Sequence, residues 1–560
     1  MQEITDQLKK VIHDLYGLDF EPELTPSPEN INADYSTNAP LKLTKELHKP
    51  PMEIAKDLGA KIHAEITPPG FLNFTLSDDY LREQINAYAE DFDANIVMDE
   101  YRGKTIICEF SDPNPFKVLH VGHLYTSIVG DSISRLYEYA GAKVIRANFG
   151  GDVGLHVAKT MYALEQKDIK NLRIEDIAEC YIEGTALYDE DEHAHAEITK
   201  LNKEIYKINA ENLHDSPLAE LYWKGRELSY EYLNNFYAKI GVQFDKYYPE
   251  STVAALGLKT VEEQLKKGIY EYSDGAVIFN GDKYGLHTRV FINKEGVPTY
   301  EAKDVGLIFT KWQDWHFDKS IVITGSEQLD YMKVVLKSVE QYAPDLVEKT
   351  THLTHGLVKL PGGVKMSSRK GNFLKAVDVL DMVDNALKSE YDSVDEKISL
   401  AATKYAFLKY KMGGDIIFDP KESVKMTGNS GPYLLYSAVR AKKILQKVKP
   451  TQVTGLEGDP QNVSPENFGE GDDGRTREER TLIKKLLEYK TTLQESVCEI
   501  APHKLANYLY ELAQTFSRFY ENCPVINSEQ ESERIKLVQI YYDIMSHGLN
   551  LLGIEIPESM

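Results

Sequence analysis

Two histidines, His120 and His123, lie three residues apart in the stretch SDPNPFKVLHVGHLYTSIVGD, where a loop is predicted to become a helix. The first turn of a helix carries unpaired backbone N–H groups and a partial positive charge, and both favour an anion. At this spacing the two imidazoles share one face, and Gly122 between them lets a flat ring or a phosphate approach the backbone. The pattern suits a polyphosphate with an attached ring, although paired histidines at a helix start also occur as plain polar surface.

A second stretch, GGVKMSSRKGN at 362–372, has the composition of a phosphate-binding loop. It combines glycines with two hydroxyls, Ser367 and Ser368, and with cations that include Lys365. Flexibility, hydrogen-bond donors and positive charge are what a loop needs to hold a leaving pyrophosphate. Such a loop alone is also typical of a solvated basic turn, so each of the two motifs supports the interpretation of the other.

The elements around the histidines predict how they are positioned. KTIICEF reads as a short apolar strand, LYTSIVGDSISRLYEYAGA as a helix and KVIRANF as a second strand. This βαβ unit predicts a parallel sheet with a right-handed crossover. Because such sheets bind ligands at the carboxyl ends of their strands, the loop at 111–119 is expected to bring His120 to the ligand-binding edge.

The length and patterning of the chain predict a multidomain fold of α/β and all-α parts. At 560 residues the chain is too long for one core, and usual domain sizes predict about three or four folding units. We predict a small α+β N-terminal domain over 1–100, with a helix over about 39–58. A Rossmann-like domain over 101–390 carries an insertion of charged helices at about 155–280, and 391–560 is predicted to form a helical bundle.

The composition is that of a soluble globular protein, with 42% hydrophobic and 27% charged residues. No apolar run approaches the roughly 20 residues that a membrane span needs, and the N-terminal sequence lacks the pattern of a secretory signal. A cytoplasmic protein without membrane association is therefore expected. The net charge of −24 argues against nonspecific attraction to nucleic acid, but it does not exclude a local basic face.

No tightly bound metal is expected. The four cysteines lie far apart without a C-x-x-C pair, which indicates neither a disulfide framework nor a cysteine zinc site. His193 and His195 stand in the acidic run DEDEHAHAE, but imidazoles two residues apart on a helix diverge. A solvated insertion is the favoured interpretation of that run.

The C-terminal helices carry the candidate nucleic-acid surface. YSAVRAKKILQKVK contains Arg440 and Lys443, and LYELAQTFSRFYEN interleaves aromatic residues such as Tyr520 with Arg518. Aromatic and cationic side chains together suit unstacked single-stranded bases. Aromatic residues at helical spacing are also typical of a bundle core, and the spacing alone leaves both interpretations open.

HVGH and KMSSRKG, in that order on a Rossmann-like unit, resemble the two signature motifs of class I aminoacyl-tRNA synthetases. The finer resemblance is to the arginyl-tRNA synthetase family, whose landmarks are similar to EFSDPNPFKVLHVGHL, RANFGGDVG, TYEAKD, GSEQ and NSGPYLLYSAVRAKKIL. The resemblance runs from PPGFLNFTLS to the last residue. This sequence departs from the family pattern at four positions: Asp112 replaces the usual serine, Phe149 and Val153 replace the commoner histidine and tryptophan, and Ser559 stands where arginine is frequent.

The resemblance implies an arginine–tRNA ligase that joins L-arginine to ATP, used with Mg2+, and then to tRNA(Arg). His120 and His123, with Gly122, would contact the phosphates, and His123 would also lie near the amino acid. Lys365, with Ser367 and Ser368, would hold the pyrophosphate. Many members of the family lack that lysine and use one before the signature helix, which here is Lys117. The first domain would recognise tRNA, the last would bind the anticodon through Arg440, Lys443, Arg518 and Tyr520, and a monomer is expected.

Substrate selection has a chemical signature of its own. A guanidinium is planar, permanently charged and rich in donors, so its pocket needs a carboxylate and a flat or hydroxyl-bearing neighbour. Tyr300 and Asp304 are four residues apart in TYEAKD, which places them on one helix face. By resemblance they hold the arginine side chain, Asn114 and Gln328 hold its α-amino and carboxylate end, and Glu109 assists near the amino group.

Two other functions compete with this interpretation. One is a different adenylyl-transfer enzyme of the same superfamily, against which the long helical C-terminus and TYEAKD argue. The other is a tRNA-binding paralogue without catalysis, against which the presence of His120, His123, Lys365 and Asp304 argues. Arginine-dependent ATP–pyrophosphate exchange distinguishes all three, and the resemblance implies that this exchange requires tRNA.

Overall fold

A computed structural model describes residues 2–28, 31, 33–167, 169, 171–362, 374–391, 395–447 and 475–560. The chain divides into two compact units, one formed by the residues up to Asp91 together with Arg475 and Thr476, and one that begins at Phe92. The sequence had predicted this division at residue 100. Lys365, Ser367 and Ser368, which were predicted to bind phosphate, lie outside the described residues.

The first unit is a small α+β domain built on a four-stranded antiparallel sheet in the order β1-β2-β4-β3. Helices pack against the sheet through a core that includes Leu8, Leu43, Leu58 and Leu72. The elements are α1 (Gln2–Tyr16), β1 (Thr25–Pro26), β2 (Tyr35–Thr37), α2 (Ala39–Leu47), α3 (Pro51–Ile62), β3 (Glu65–Thr67), β4 (Phe71–Phe74) and α4 (Asp78–Glu90).

The predicted single helix over 39–58 is wrong, since the chain forms α2 and α3 there. His48 ends α2 in the left-handed conformation with φ 50°. Pro50 and Pro51 follow, and a proline both lacks the backbone N–H and disfavours helical geometry in the residue before it. The proline pair therefore starts a new helix and does not continue the old one.

The second unit contains a five-stranded parallel sheet in the order β12-β11-β5-β6-β7. Its first elements are the βαβ unit that the sequence predicted. The elements that build the sheet region are α5 (Phe92–Ile96), β5 (Thr105–Glu109), α6 (Val121–Tyr139), β6 (Lys143–Gly150), β7 (Lys246–Pro249), α11 (Glu250–Leu265), α12 (Tyr300–Trp315), β11 (Lys319–Gly325), α13 (Leu329–Glu340), α14 (Pro344–Glu348) and β12 (Thr350–His355).

The strand order creates a switch point beside β5. From β5 the chain proceeds to β6 and β7 on one side, whereas β11 and β12 are added on the other. Helices that follow strands on opposite sides of a switch point diverge and leave a crevice at the carboxyl ends of the strands. Glu109 at the end of β5 pairs in register with Ala147 of β6 and Val322 of β11, so it lies at the base of this crevice.

Two further structures sit between β6 and α12 in the sequence. Four helices form a separately packed layer around Met161, Ile198 and Tyr222, and a three-stranded antiparallel sheet has the order β10-β9-β8. These elements are α7 (Leu155–Glu165), α8 (Ile174–Glu190), α9 (Glu192–Ala210), α10 (Pro217–Lys239), β8 (Glu271–Ser273), β9 (Ala276–Phe279) and β10 (Arg289–Ile292). The predicted insertion at about 155–280 also contains β7, although β7 is an edge strand of the main sheet.

The C-terminal part is helical, as predicted. Its core contains Leu512, Phe516 and Tyr541, and the last two rings stack with centroids 3.8 Å apart. The elements are β13 (Val358–Lys359), α15 (Ala376–Glu390), α16 (Glu396–Leu408), β14 (Ile416–Ile417), α17 (Pro420–Ser423), α18 (Gly431–Lys447), α19 (Arg477–Leu487), α20 (Tyr489–Cys498), α21 (Pro502–Asn522) and α22 (Glu531–Leu551). Within the described ranges, no helix combines the length and apolarity needed to cross a membrane.

Candidate active site

A cavity of about 670 Å³ opens at the carboxyl ends of β5, β6, β11 and β12. It is the crevice that the strand order creates, and it is large enough for a nucleotide and an amino acid together. Eight of the residues predicted from the sequence to bind ATP or arginine line it: Glu109, Asn114, His120, Gly122, His123, Tyr300, Asp304 and Gln328.

His120 and His123 stack at the start of α6, with ring centroids 3.7 Å apart. The backbone N–H of Gly122 donates to His120 Nδ1 at 3.1 Å, and the backbone N–H of His120 donates to His123 Nδ1 at 3.2 Å. An Nδ1 that accepts a hydrogen bond carries no proton, so a neutral ring has its proton on Nε2. The capping interactions therefore select, in both rings, the tautomer with an Nε2–H donor.

Both histidines are neutral near pH 7. Burial, followed by the nearby His355 and Lys117, lowers the pKa of His120 to about 4. Burial, followed by His120 itself, lowers the pKa of His123 well below its ordinary value. The pair is thus a set of neutral hydrogen-bond donors in the ligand-free protein, with no positive charge of its own.

The sequence had predicted that Gly122 lets a ligand ring or a phosphate approach the backbone, and in the structure the ring next to Gly122 is that of His120. A Cβ at this position would lie 2.9 Å from both Cε1 and Nδ1 of His120. A side chain at residue 122 would therefore push the imidazole out of its capping position. His355, whose Cε1 lies 3.8 Å from the same point, is next to this turn.

Lys117, the alternative phosphate-binding lysine, lies near the histidines without lining the cavity. Its Nζ rests 4.5 Å from the ring centroid of Tyr181 on α8. Its charge nevertheless contributes to lowering the pKa of His120 and His123, which places it within electrostatic reach of both.

The other end of the cavity is acidic. Six carboxylates line the cavity as a whole, whereas Arg289 is the single lysine or arginine among the described lining residues; the carboxylates belong to Glu109, Asp112, Glu250, Glu301, Asp304 and Glu327. Two of them have buried lysine partners at 2.6 Å, Glu109 with Lys311 and Glu250 with Lys303. An acidic cavity of this kind favours a cationic ligand.

Asp304 differs from Glu109 and Glu250 in its ion pairing. It is buried, and no cation within 4 Å pairs with it in the part of the chain that the structure describes. Burial raises its pKa to about 8. Its Oδ2 accepts a hydrogen bond from the hydroxyl of Tyr331. Tyr300 lies one turn earlier on α12 and is 52% exposed at the cavity mouth. The helix therefore places the Tyr300 ring at the mouth and the Asp304 carboxylate inside the cavity.

Asn114 is hydrogen-bonded within the protein through its amide oxygen. Its Oδ1 accepts the backbone N–H of Gly151 at 2.9 Å, which leaves the Nδ2 donors for a ligand. His156 Nε2 contacts the Gly151 carbonyl at 2.7 Å, and because that oxygen accepts, the imidazole donates. His156 therefore holds Gly151, the residue whose N–H orients Asn114. The sequence analysis had not identified His156, whose only signal was its place just after GGDVG.

Asp112 and Phe149, two residues that depart from the family pattern, contact each other. The Oδ1 of Asp112 accepts the backbone N–H of Phe149 at 2.8 Å, which joins the loop after β5 to the end of β6. The nearby Asp152 is fully buried and accepts from the backbone and hydroxyl of Ser251 and from Arg226. Asp152 thus ties the GGDVG segment to α10 and α11, which is a structural role.

His355 is a further residue that the sequence analysis missed. It ends β12 and lines the cavity, and its Nδ1 contacts the Gly356 carbonyl at 2.7 Å, so that nitrogen donates. Its ring packs edge-on against Tyr125 of α6 with centroids 4.9 Å apart. A single histidine at a strand end carries no pattern of its own, and only its position before GGVKMSSRKGN marked it.

The predicted tRNA-binding residues lie partly together in a separate groove of about 210 Å³. Arg440, Lys443 and Tyr520 line it, with Tyr436 and Met560. The Arg440 guanidinium lies 4.6 Å from the Tyr436 ring centroid and 5.3 Å from that of Tyr520. Arg518 is exposed but does not line the groove, and the neighbouring Phe516 and Phe519 belong to the core.

The switch-point crevice, with neutral histidine donors at one end and buried carboxylates at the other, defines the site of a Rossmann-like nucleotide-binding enzyme. Comparison with known families is more specific. The profile of "tRNA synthetases class I (R), catalytic domain" matches residues 92–419. Profiles of the "Arginyl tRNA synthetase N terminal domain" and the "DALR anticodon binding domain" match 2–76 and 434–560.

Similar proteins extend over the full length of the chain. An arginine–tRNA ligase of Fusobacterium nucleatum is 29% identical over 100% of this chain and 99% of its own, and one of Treponema denticola is 28% identical over 100% of both. The structure of Thermus thermophilus arginyl-tRNA synthetase has the same fold, with a TM-score of 0.80 at 23% identity over 100% of both chains. The Plasmodium falciparum enzyme follows with 0.76 at 21%, over 100% of this chain and 99% of its own. The chain belongs to the class I arginyl-tRNA synthetase family.

Proposed function

We propose that this member of the family is an arginine–tRNA ligase, which forms arginyl-adenylate from L-arginine and ATP and transfers the arginyl group to tRNA(Arg). The observation that carries the choice of substrate is Asp304, a buried carboxylate with no cation partner among the described residues. A guanidinium provides the charge and the paired donors that this carboxylate lacks. Tyr300, at the mouth, supplies the flat neighbour.

In the first step a carboxylate oxygen of arginine attacks the α-phosphorus of ATP, and the bond from that phosphorus to the bridging oxygen of pyrophosphate breaks. The Nε2–H groups of His120 and His123 donate to the phosphate oxygens on which negative charge increases. Preorganised donors of this kind favour the transition state because they need no reorientation as the charge develops. The α6 N-terminus adds its partial positive charge.

The orientation of arginine follows from the donors and acceptors around it. The Nδ2 of Asn114 donates to the α-carboxylate, and Gln328 binds the same end. The acidic side chain of Glu109, at the base of the crevice, attracts the α-ammonium group. This arrangement turns the α-carboxylate toward the histidines and the guanidinium toward Asp304.

In the second step a ribose hydroxyl at the 3′ end of tRNA attacks the carbonyl carbon of arginyl-adenylate, and AMP leaves. Lys117 and Lys365 are the two candidates for holding the pyrophosphate of the first step. Mg2+ enters with ATP as part of that substrate, bound by its phosphates. In the described ranges, no group of three or more His, Cys, Asp and Glu side chains suits a metal ion.

Arginine-dependent exchange between ATP and labelled pyrophosphate tests the proposal. We expect exchange with L-arginine and tRNA, little without tRNA, and none with lysine or with citrulline, whose side chain lacks the charge. Exchange that depends on another amino acid would overturn the assignment. No exchange under any of these conditions would favour a tRNA-binding paralogue without catalysis.

The groove lined by Arg440, Lys443 and Tyr520 is proposed to bind the anticodon loop. Its stacked guanidinium and phenol rings offer a platform for an unstacked base. Arg440→Ala is expected to raise the KM for tRNA about tenfold and to leave the KM for arginine unchanged. Arg518→Ala is the matched control, since this exposed arginine lies outside the groove. Equal effects of the two substitutions on aminoacylation would contradict the location of the binding surface.

The N-terminal domain is proposed to recognise another part of the same tRNA, and the helices after 391 to form the stem and anticodon-binding domain. A cytoplasmic location fits a role in translation. The monomeric state stays a prediction, which sedimentation of the purified protein checks.

A further inference from the structure

Tyr331, on α13, is a residue of the cavity wall that the sequence did not identify. Its hydroxyl donates to Oδ2 of Asp304, and its ring faces the same cavity. The guanidinium of Arg289 lies 5.4 Å from the centroid of this ring and pairs with Glu301 at 3.4 Å. The phenol is therefore held between a cation on its face and a carboxylate at its hydroxyl.

The charged groups around Asp304 shift its pKa in opposite directions. Glu109 on β5, Asp112 in the loop after β5 and Glu250 on α11 disfavour a further negative charge, whereas Lys311 on α12 favours it. Lys311 is itself engaged, because its Nζ lies 2.6 Å from Glu109 and 3.1 Å from the Ser320 hydroxyl. The Tyr331 hydroxyl is thus the one side-chain donor that contacts Asp304 directly among the described residues.

A hydrogen bond from a donor favours the ionised form of a carboxylate. It also distinguishes the two carboxylate oxygens, because Oδ2 accepts the hydrogen bond from the Tyr331 hydroxyl and Oδ1 remains to accept one from a ligand. The ionised form matters here because a guanidinium has only donors. A protonated carboxylic acid would present an O–H to those donors and would supply no charge.

On this geometry, and on the basis of the proposed function, we propose that Tyr331 is a positioning residue that orients Asp304 and favours its ionised form, and so sets the pH range in which arginine is bound. Burial raises the pKa of Asp304 to about 8, and the Tyr331 hydrogen bond opposes that rise. Arginine use should therefore increase with pH through this pKa and then level off.

The pH dependence of kcat/KM for arginine reports ionisations of the free enzyme and of free arginine, and only those of the enzyme can differ between two variants. The test is therefore the comparison of this pH dependence between the wild type and Tyr331→Phe. It is measured by ATP–pyrophosphate exchange with saturating ATP and tRNA between pH 6 and 10. We expect the Tyr331→Phe profile to keep the wild-type plateau within about threefold and to move to higher pH by about one unit. At pH 7 the variant would then be about tenfold less efficient with arginine, while its KM for ATP would not change.

Tyr342→Phe is the matched control. It also removes a tyrosine hydroxyl, here one that lies 3.2 Å from the Tyr270 hydroxyl beyond the end of α13, away from Asp304. Its profile should coincide with that of the wild type. A Tyr331→Phe profile that coincides with the wild type, or one that is lowered equally at every pH, would overturn the proposal.

A measurement on the wild-type protein keeps the proposal open to refutation if the variant does not fold. Arginine binding, followed by calorimetry in buffers of different ionisation enthalpy, should release close to one proton well below pH 8 and fewer above it. No proton release across this range would show that the Asp304 carboxyl does not titrate there, so that Tyr331 could not set the pH range of arginine binding, and it would overturn the proposal. Failure of the proposed function is a separate outcome, because the wild type would then show no arginine-dependent exchange.

Discussion

Asp304→Asn is expected to raise the KM for arginine by about two orders of magnitude while the KM for ATP changes less than about threefold. Asparagine has nearly the same shape, but it removes the charge that faces the guanidinium and adds an N–H2 donor to a site whose ligand already consists of donors. Loss of a charged partner from a buried hydrogen-bonded pair costs about 3 kcal/mol, which corresponds to about a hundredfold. Exchange kinetics with each substrate varied in turn give both values.

The control for this substitution is Asp314→Asn, on the last turn of the same helix. Asp314 accepts from the Tyr248 hydroxyl at 3.0 Å and pairs with Lys246 at 3.4 Å, and it does not line the cavity. It therefore tests the loss of a carboxylate from α12 without loss of the proposed ligand contact. If the two variants raised the KM for arginine equally, Asp304 would not be the guanidinium partner.

Stability should change in the opposite direction from activity. The pKa of Asp304 is about 8 in the folded protein and near 3.8 when the chain is unfolded. A raised folded-state pKa gives a stabilising contribution that is complete below pH 3.8 and is lost as the pH rises to 8. At pH 7.5, in the absence of arginine, the stabilising contribution of the buried carboxyl to the free energy of unfolding is thus almost lost. The Tm of Asp304→Asn should therefore be no lower than that of the wild type. A large fall in Tm would mean that the loss of arginine use reflects damage to the fold.

Local patterns in the sequence identified the parts of this site that lie close together in the chain. The strand before the histidines, the helix that they begin and the helix that carries Tyr300 and Asp304 all follow from periodicity, because each pattern is complete within about twenty residues. The end of β5 could be assigned to a ligand edge because a βαβ unit implies a parallel sheet. These elements define most of the cavity.

Long-range partners were not predictable in the same way. The buried pair of Glu109 and Lys311 joins residues 202 positions apart, and Lys303 finds Glu250 at a separation of 53. A lysine in a helix gives no local sign that its amine will be buried against a particular carboxylate. Tyr331 was missed for the same reason, since its role depends on α12 and α13 packing side by side. By resemblance the sequence had assigned Asp304 to the arginine side chain and Glu109 to the region near the amino group, but it gave no sign that Glu109 would be paired with Lys311 while Asp304 would not.

The two ends of the cavity have complementary tasks. Arginine carries a cation at its side chain, and the carboxylate that must approach ATP is itself an anion. On the proposed function, the buried carboxylates at one end would hold the cation, whereas at the other end the anions would meet neutral donors and a helix N-terminus. We propose that this difference between the two ends orients the amino acid before reaction.

His120→Asn is expected to lower kcat for adenylate formation by about two orders of magnitude with little change in the KM for ATP. The amide oxygen of asparagine can occupy the position of Nδ1 and keep the cap that accepts the Gly122 N–H, while the Nε2–H donor is lost. Loss of one preorganised donor to a developing oxyanion lowers rates by about 10²–10³.

His120→Gln is the partner variant, since its longer amide can place a donor near the Nε2 position, and we expect it to recover about tenfold of the lost rate. Because the pKa of His120 is about 4, neither variant should alter the pH profile between 6 and 8. Equal rates in the two variants, with intact folds, would mean that His120 acts through the helix cap and not through a phosphate contact.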